Sequence, residues 1–220
     1  MARAQEEFPS LSFTTNWHPY FLDVTLESKG LSKRDNYRAK GMSDSTLNRM
    51  EKSMAQNFAG EGIVYSLDGD TGNTVDSHRL AAWTYTKFGS EAQDNLIDVM
   101  FRKFFGPQID EDGGGNPASH EMLLAALAEA VVGADLDEAA DFLSGTAGRQ
   151  HVLENAHALM TQETVTGVPH YFVTVDGTQT QEMQGGIAYQ VPGAQDTETF
   201  YLVLRQLVLK AQEKAAAPKL

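Results

Sequence analysis

Hydrophobic and polar positions change their spacing twice along the chain. Ala2 to Phe8 collects good helix formers and Pro9 stops them, so this stretch reads as the end of a helix. Ser10 to Trp17 then alternates. Leu11 and Phe13, continued by Thr15 and Trp17, fall on one side, with Ser10, Ser12, Thr14 and Asn16 on the other, which predicts a half-buried strand. His18-Pro19-Tyr20-Phe21-Leu22 leaves that strand, and Glu27-Ser28-Lys29-Gly30 is a polar turn.

From about Ser32 to Glu163 the spacing is helical. Ser43-Asp44-Ser45 caps a helix carrying Leu47, Met50, Met54 and Phe58. Asn73 or Thr74 caps a second, with Leu80, Ala81, Thr84 and Phe88, ended by Gly89. Ser90 caps a third, whose stripe of Leu96, Ile97, Met100, Phe101 and Phe104 runs to Gly106-Pro107. Ser119 begins a fourth, with Met122, Leu123, Ala126, Leu127, Ala130 and Val131, and two more are expected at about 135–144 and 148–164.

The pattern then returns to period two. Val168 to Val175 is β-branched and aromatic, Asp176-Gly177 signals a turn, and Ile187 to Val191 supplies a partner strand. Asp196 to about Glu213 is a closing amphipathic helix with Phe200, Tyr201, Leu204, Leu207 and Val208 inward. The fold class expected is α/β, a sheet domain interrupted by helices, with 1–31 and 147–220 as its halves and 32–146 as a helical insertion.

Composition narrows the chemistry. The net charge of −13 over 220 residues opposes binding to nucleic acid or to an anionic membrane surface. There is no cysteine, which removes disulfides, thiolate nucleophiles and dithiol redox chemistry from the chain itself. The polar N-terminus lacks the apolar core of a signal peptide and no long apolar run occurs, so a cytoplasmic protein is expected.

Gly167-Val168-Pro169 places a proline at the mouth of a strand, where its missing N–H is tolerated and a cis bond can be held. It is the principal site candidate. His170 follows directly and is a general acid or base if it faces a cleft, or a plain strand residue if it does not. Asp110-Glu111-Asp112-Gly113-Gly114-Gly115 with Glu121 imitates a calcium loop, but Gly114 and Pro117 break the template and an acidic solvated loop is expected. Asp68-Gly69-Asp70 reads as a turn. The six histidines include no pair at helical i,i+4 spacing, and Gly60-Glu61-Gly62 lacks the rest of a phosphate loop, so neither a metal nor a nucleotide site is expected.

Several short stretches carry a family resemblance: Trp17-His18-Pro19-Tyr20-Phe21-Leu22-Asp23, Gly72-Asn73-Thr74 with Ser77-His78-Arg79-Leu80, and Met100-Phe101-Arg102-Lys103-Phe104-Phe105. Gly167-Val168-Pro169 and Val191-Pro192-Gly193-Ala194-Gln195 complete the set. In this order they resemble the DsbA-like thioredoxin family, in the branch of FrnE-type oxidoreductases, 2-hydroxychromene-2-carboxylate isomerases and glutathione transferase kappa. The resemblance implies a thioredoxin-like fold with a large helical insertion. Among its glutathione-using relatives the resemblance implies a glutathione site at Val168 and Pro169, with Val168 offering backbone hydrogen bonds to the tripeptide and Ala194 and Gln195 near its γ-glutamyl end. Asn73 resembles the asparagine that the helical domain points at the active site, with His78 and Arg79 further along the same helix.

Relatives also begin with a strand leading into Cys-Pro-Trp-Cys or a serine equivalent, and this chain has neither. Ala2 to Phe8 matches the end of the first helix, so about thirty residues are wanting, the length of a strand with its helix start. The sequence is either a truncated gene model or a chain with a compensating arrangement, in which residues 10–17 and 168–175 pair directly or leave a gap for a partner. Three functions stay open: an oxidoreductase-family member without dithiol activity, a glutathione-assisted or cofactor-free isomerase or transferase on a small aromatic or polyketide-like compound, and a non-catalytic binding protein. A small-molecule or thiol substrate is expected, and a homodimer is left open.

Overall fold

The computed structural model describes residues 2–107, 115–161, 165–175 and 188–216. In order the elements are α1 (Ala2–Glu7), β1 (Leu31–Ser32), α2 (Lys33–Ala39), α3 (Asp44–Gly60), β2 (Asp70–Thr71), α4 (Val75–Phe88), α5 (Ser90–Phe105), α6 (His120–Ala130), α7 (Leu136–Ser144), α8 (Arg149–Thr161), β3 (His170–Thr174), β4 (Ala188–Pro192) and α9 (Thr197–Ala216). They fall into two units, Met1–Phe13 with Leu159–Leu220, and Thr14–Ala158. The acidic residues 110–114, Glu163, and Asp176-Gly177 with Ile187 lie outside the described residues. No described helix is long and apolar enough to cross a membrane.

In the 14–158 unit the helical stripes close on one another. Leu80, Leu96, Met100, Met122, Leu123, Leu127, Ala139 and Leu143 are buried in one cluster made by α4, α5, α6 and α7. The caps are local. Ser43, Ser119 and Asp135 accept from the backbone N–H groups of Thr46, Met122 and Glu138. Gly89, at φ +86°, makes the sharp break between α4 and α5 that an L side chain would resist, so Ser90 is the first helical residue and not the cap. Two short elements escaped the sequence pattern: α2, and the antiparallel bridge that pairs Leu31 with Thr71 and Ser32 with Asp70.

Residues 14–31 and most of α8, assigned from sequence to the thioredoxin-like halves, pack within this helical unit. Phe21 is buried with Val75 of α4 and with Val152 and Ala156 of α8. The strand expected over 10–17 does not form: no residue of this stretch enters a ladder. Its backbone groups are satisfied otherwise. Leu11 donates to Phe8 O at 3.0 Å and its own carbonyl accepts from Gln5 Nε2 at 3.0 Å. The N–H and C=O of Trp17 are both taken by the side chain of Gln93.

In the other unit β3 and β4 pair antiparallel, with His170 opposite Pro192 and Tyr171 opposite Val191. Direct pairing of 168–175 with 10–17 is therefore corrected: among the described residues β3 pairs with β4 alone. Asp196 caps α9 by accepting from Thr199 N–H at 2.7 Å, and α9 buries Leu207 and Val208 while Phe200 meets the ring of Tyr171 edge-on at 4.8 Å. α1 lies against α9. Ala4 is buried there, Glu7 accepts from Arg205 Nε at 2.9 Å and from the Tyr201 hydroxyl, and Arg3 pairs with Glu198 over the Tyr201 ring.

Candidate functional site

The hairpin brings four of the candidate residues together. The Val168–Pro169 peptide bond is cis. The Pro169 carbonyl accepts from Gly193 N–H at 2.8 Å, which fixes the strand mouth beside the turn after β4. Gly193 sits at φ +76°, a conformation glycine adopts without strain, and turns the chain into Ala194 and Gln195. Gln195 Nε2 donates back to Pro192 O at 2.8 Å, so the side chain is held against its own turn. Ala194 and Gln195 are exposed, and the N-terminus of α9 begins two residues later.

Val168 is 47% exposed. Among the described residues neither its N–H nor its C=O holds a backbone hydrogen bond, whereas its neighbour Pro169 is tied to Gly193. An exposed backbone edge of this kind can pair with an extended peptide. The turn at Ala194 and Gln195, next to a helix N-terminus, suits a carboxylate.

His170 has a different setting. Its ring packs on Phe172 with centroids 4.9 Å apart, and Nε2 is buried with no hydrogen-bond partner among the described residues. Nε2 is thus turned away from solvent, and the residue as a whole is half-buried.

Asn73, in the 14–158 unit, has its side chain fully engaged. Oδ1 accepts from Val75 N–H at 2.9 Å and Nδ2 donates to Leu26 O at 3.1 Å, while its backbone N–H donates to Glu27 O. It therefore supplies the side-chain cap of α4, and the formal cap residue Thr74 makes no such bond. Further along α4, His78 donates to the Tyr20 carbonyl and lies edge-on to Phe21 at 5.1 Å. Burial lowers its pKa to about 4, against the opposing effect of that hydrogen bond, so it is neutral at pH 7.

Arg79 is 2% exposed and belongs to the scaffold. Its guanidinium donates to the carbonyls of Phe142, Leu143, Gly145 and Ala147 and to Asp76 Oδ1 at 2.6 Å. The other Asp76 oxygen lies 2.8 Å from His120 Nε2. Burial acts to raise the Asp76 pKa, but the bonds from His120 and Arg79 outweigh it and the carboxyl sits below its ordinary range. The sequence reading passed over this Asp76–His120 pair because its members are 44 residues apart. No cluster of three metal-ligating side chains occurs among the described residues.

The sequence model of the DSBA-like thioredoxin domain matches residues 1–205. The chain belongs to that family, and its fold is the DSBA-like thioredoxin fold with a helical insertion. Among curated proteins no match was found.

Proposed function

We propose that this protein is a DsbA-like member of the oxidoreductase family whose hairpin loop binds a thiol peptide of the glutathione type non-covalently, without performing dithiol exchange. Two premises are firm: the family, and a sequence with no cysteine to supply a thiolate. The observation that carries the reading is the exposed Val168, whose backbone has no backbone partner among the described residues, set beside the Ala194-Gln195 turn by the Pro169–Gly193 bond. An extended tripeptide would add its cysteinyl backbone to Val168 and turn its γ-glutamyl carboxylate toward Gln195 and the start of α9.

The burial of His170 Nε2, which takes one of its two ring nitrogens away from a bound molecule, favours binding over an isomerase or transferase step. Titration calorimetry with reduced glutathione tests the reading. Binding is expected at millimolar concentrations or below, weakened about fivefold by Gln195→Ala, the loss of one hydrogen bond. The chain is expected to be inactive in insulin reduction. No heat at millimolar glutathione, or reduction of insulin by this chain, overturns the proposal.

A further inference from the structure

Beyond the hairpin loop, within the 14–158 unit, the N-terminus of α2 encloses a lysine. Lys33 is the first residue of α2, capped by Ser32, and is 5% exposed. Its ammonium donates to the Phe104 carbonyl at the end of α5 and lies 4.3 Å from the Phe104 ring centroid. No described carboxylate comes within 4 Å of it, although Asp68 and Asp70 act on it from further away. A cavity of about 60 Å³ adjoins it, lined by Lys33, Asn36, Tyr37, Tyr65, Thr71 and Phe104 among others. By that measure one water needs roughly 10–15 Å³, so there is room for a small organic molecule.

The chemistry of the lining restricts the occupant. Tyr65 stacks on Phe58 at 5.1 Å and on Phe105 at 6.4 Å, making a flat apolar wall. This wall favours an uncharged molecule with apolar surface, and the group that meets it is an amine whose charged form is disfavoured by burial. Burial lowers the Lys33 pKa to about 8, against the attraction of Asp68 and Asp70. Near pH 8 a large share of this side chain is therefore the free base, which is the nucleophilic form.

We propose that this cavity is a carbonyl-binding site in which Lys33 condenses with a small uncharged aldehyde to form an imine. The amine lone pair attacks the carbonyl carbon, the C=O π pair moves to oxygen, and the oxygen takes up a proton. Loss of one water leaves the C=N bond, so amine and aldehyde give imine and water with no change of oxidation state. Tyr37 and Tyr65 are among the lining residues, and burial raises the Tyr65 pKa.

The test uses the intact chain with butanal and cyanoborohydride at pH 8, followed by peptide mapping. Lys33 is expected to be butylated about tenfold faster than the exposed Lys29, from its larger free-base fraction offset by its lower basicity. Its rate should flatten above pH 8 while that of Lys29 keeps rising. Glyoxylate, a charged aldehyde of similar size, should label Lys33 no faster than Lys29. Butylation of Lys33 no faster than Lys29, equal preference for glyoxylate, or a Lys33 rate that climbs unchanged to pH 10 overturns the proposal.

Discussion

The side-chain amide of Gln93 closes a two-bond ring with the backbone of Trp17, accepting from its N–H at 2.9 Å and donating to its C=O at 3.1 Å. The same nitrogen also lies 3.3 Å from the Ala81 carbonyl, and Gln93 is 3% exposed. One buried amide thus does for Trp17 what a neighbouring strand does in a ladder. Gln93→Leu keeps the volume and orphans both backbone groups, and is expected to cost about 2–3 kcal/mol in urea unfolding. A loss below about 0.5 kcal/mol would mean that water takes over both bonds.

His78 sets an acid dependence. Its folded pKa of about 4 lies below the ordinary 6.5. As pH falls through 6.5 the unfolded chain takes up a proton that the folded chain refuses, so stability declines until about pH 4 and then levels. The expected loss over this window is on the order of 2–3 kcal/mol. His78→Asn should flatten the slope between pH 6.5 and 4 in urea titrations, and an unchanged slope would refute this assignment.

Lys33 gives the opposite end of the pH scale. With its folded value lowered to about 8 from 10.5, the cost of burying its charge is fully present below pH 8. Between pH 8 and 10.5 the unfolded chain holds more protons, so stability rises with pH across this window. Compared with Lys33→Met, the natural chain should gain stability by about 1–3 kcal/mol from pH 8 to pH 10. Parallel unfolding curves for the two chains across that range would contradict the expectation.

Gly72 is fixed by crowding. A Cβ there would stand 2.9 Å from both Ala118 Cβ and Asn116 Oδ1, and 3.2 Å from the Glu27 carbonyl. Gly72→Ala should cost about 1–3 kcal/mol in thermal unfolding. Gly60, in the last turn of α3 with nothing within 4 Å of its added Cβ, serves as the contrast, and Gly60→Ala should stabilise by about 0.5–1 kcal/mol.

Much of the fold was legible because its signals are local. Ser43 and Ser119 cap where the serine pattern placed them, Gly89 and Gly106 end their helices, and the Val168 and Ile187 runs yield β3 and β4. The error over 10–17 has a physical origin. Alternation reports one apolar face, but a strand also needs a neighbour for its backbone, and Leu11 and Trp17 find Gln5, Phe8 and Gln93 instead. The hairpin loop was legible as far as Pro169 and Gly193, which flank the paired strands β3 and β4. Lys33 and the Asp76–His120 pair were not. Each depends on burial or on a contact across tens of residues, and a lysine at a helix start looks the same in sequence whether it faces water or Phe104.

Arg79 shows what such a distant contact does for the chain that receives it. Four carbonyls from Phe142 to Ala147, the closing turn of α7 and the link to α8, are gathered by one guanidinium on another helix. The end of α7 is therefore specified from outside its own sequence. Phe142 and Leu143 are held by their side chains as well, Leu143 in the core and Phe142 against Trp83, so this turn cannot accept an inserted residue. The loop at Val132, which is 99% exposed, carries no such constraint and is where this fold can lengthen.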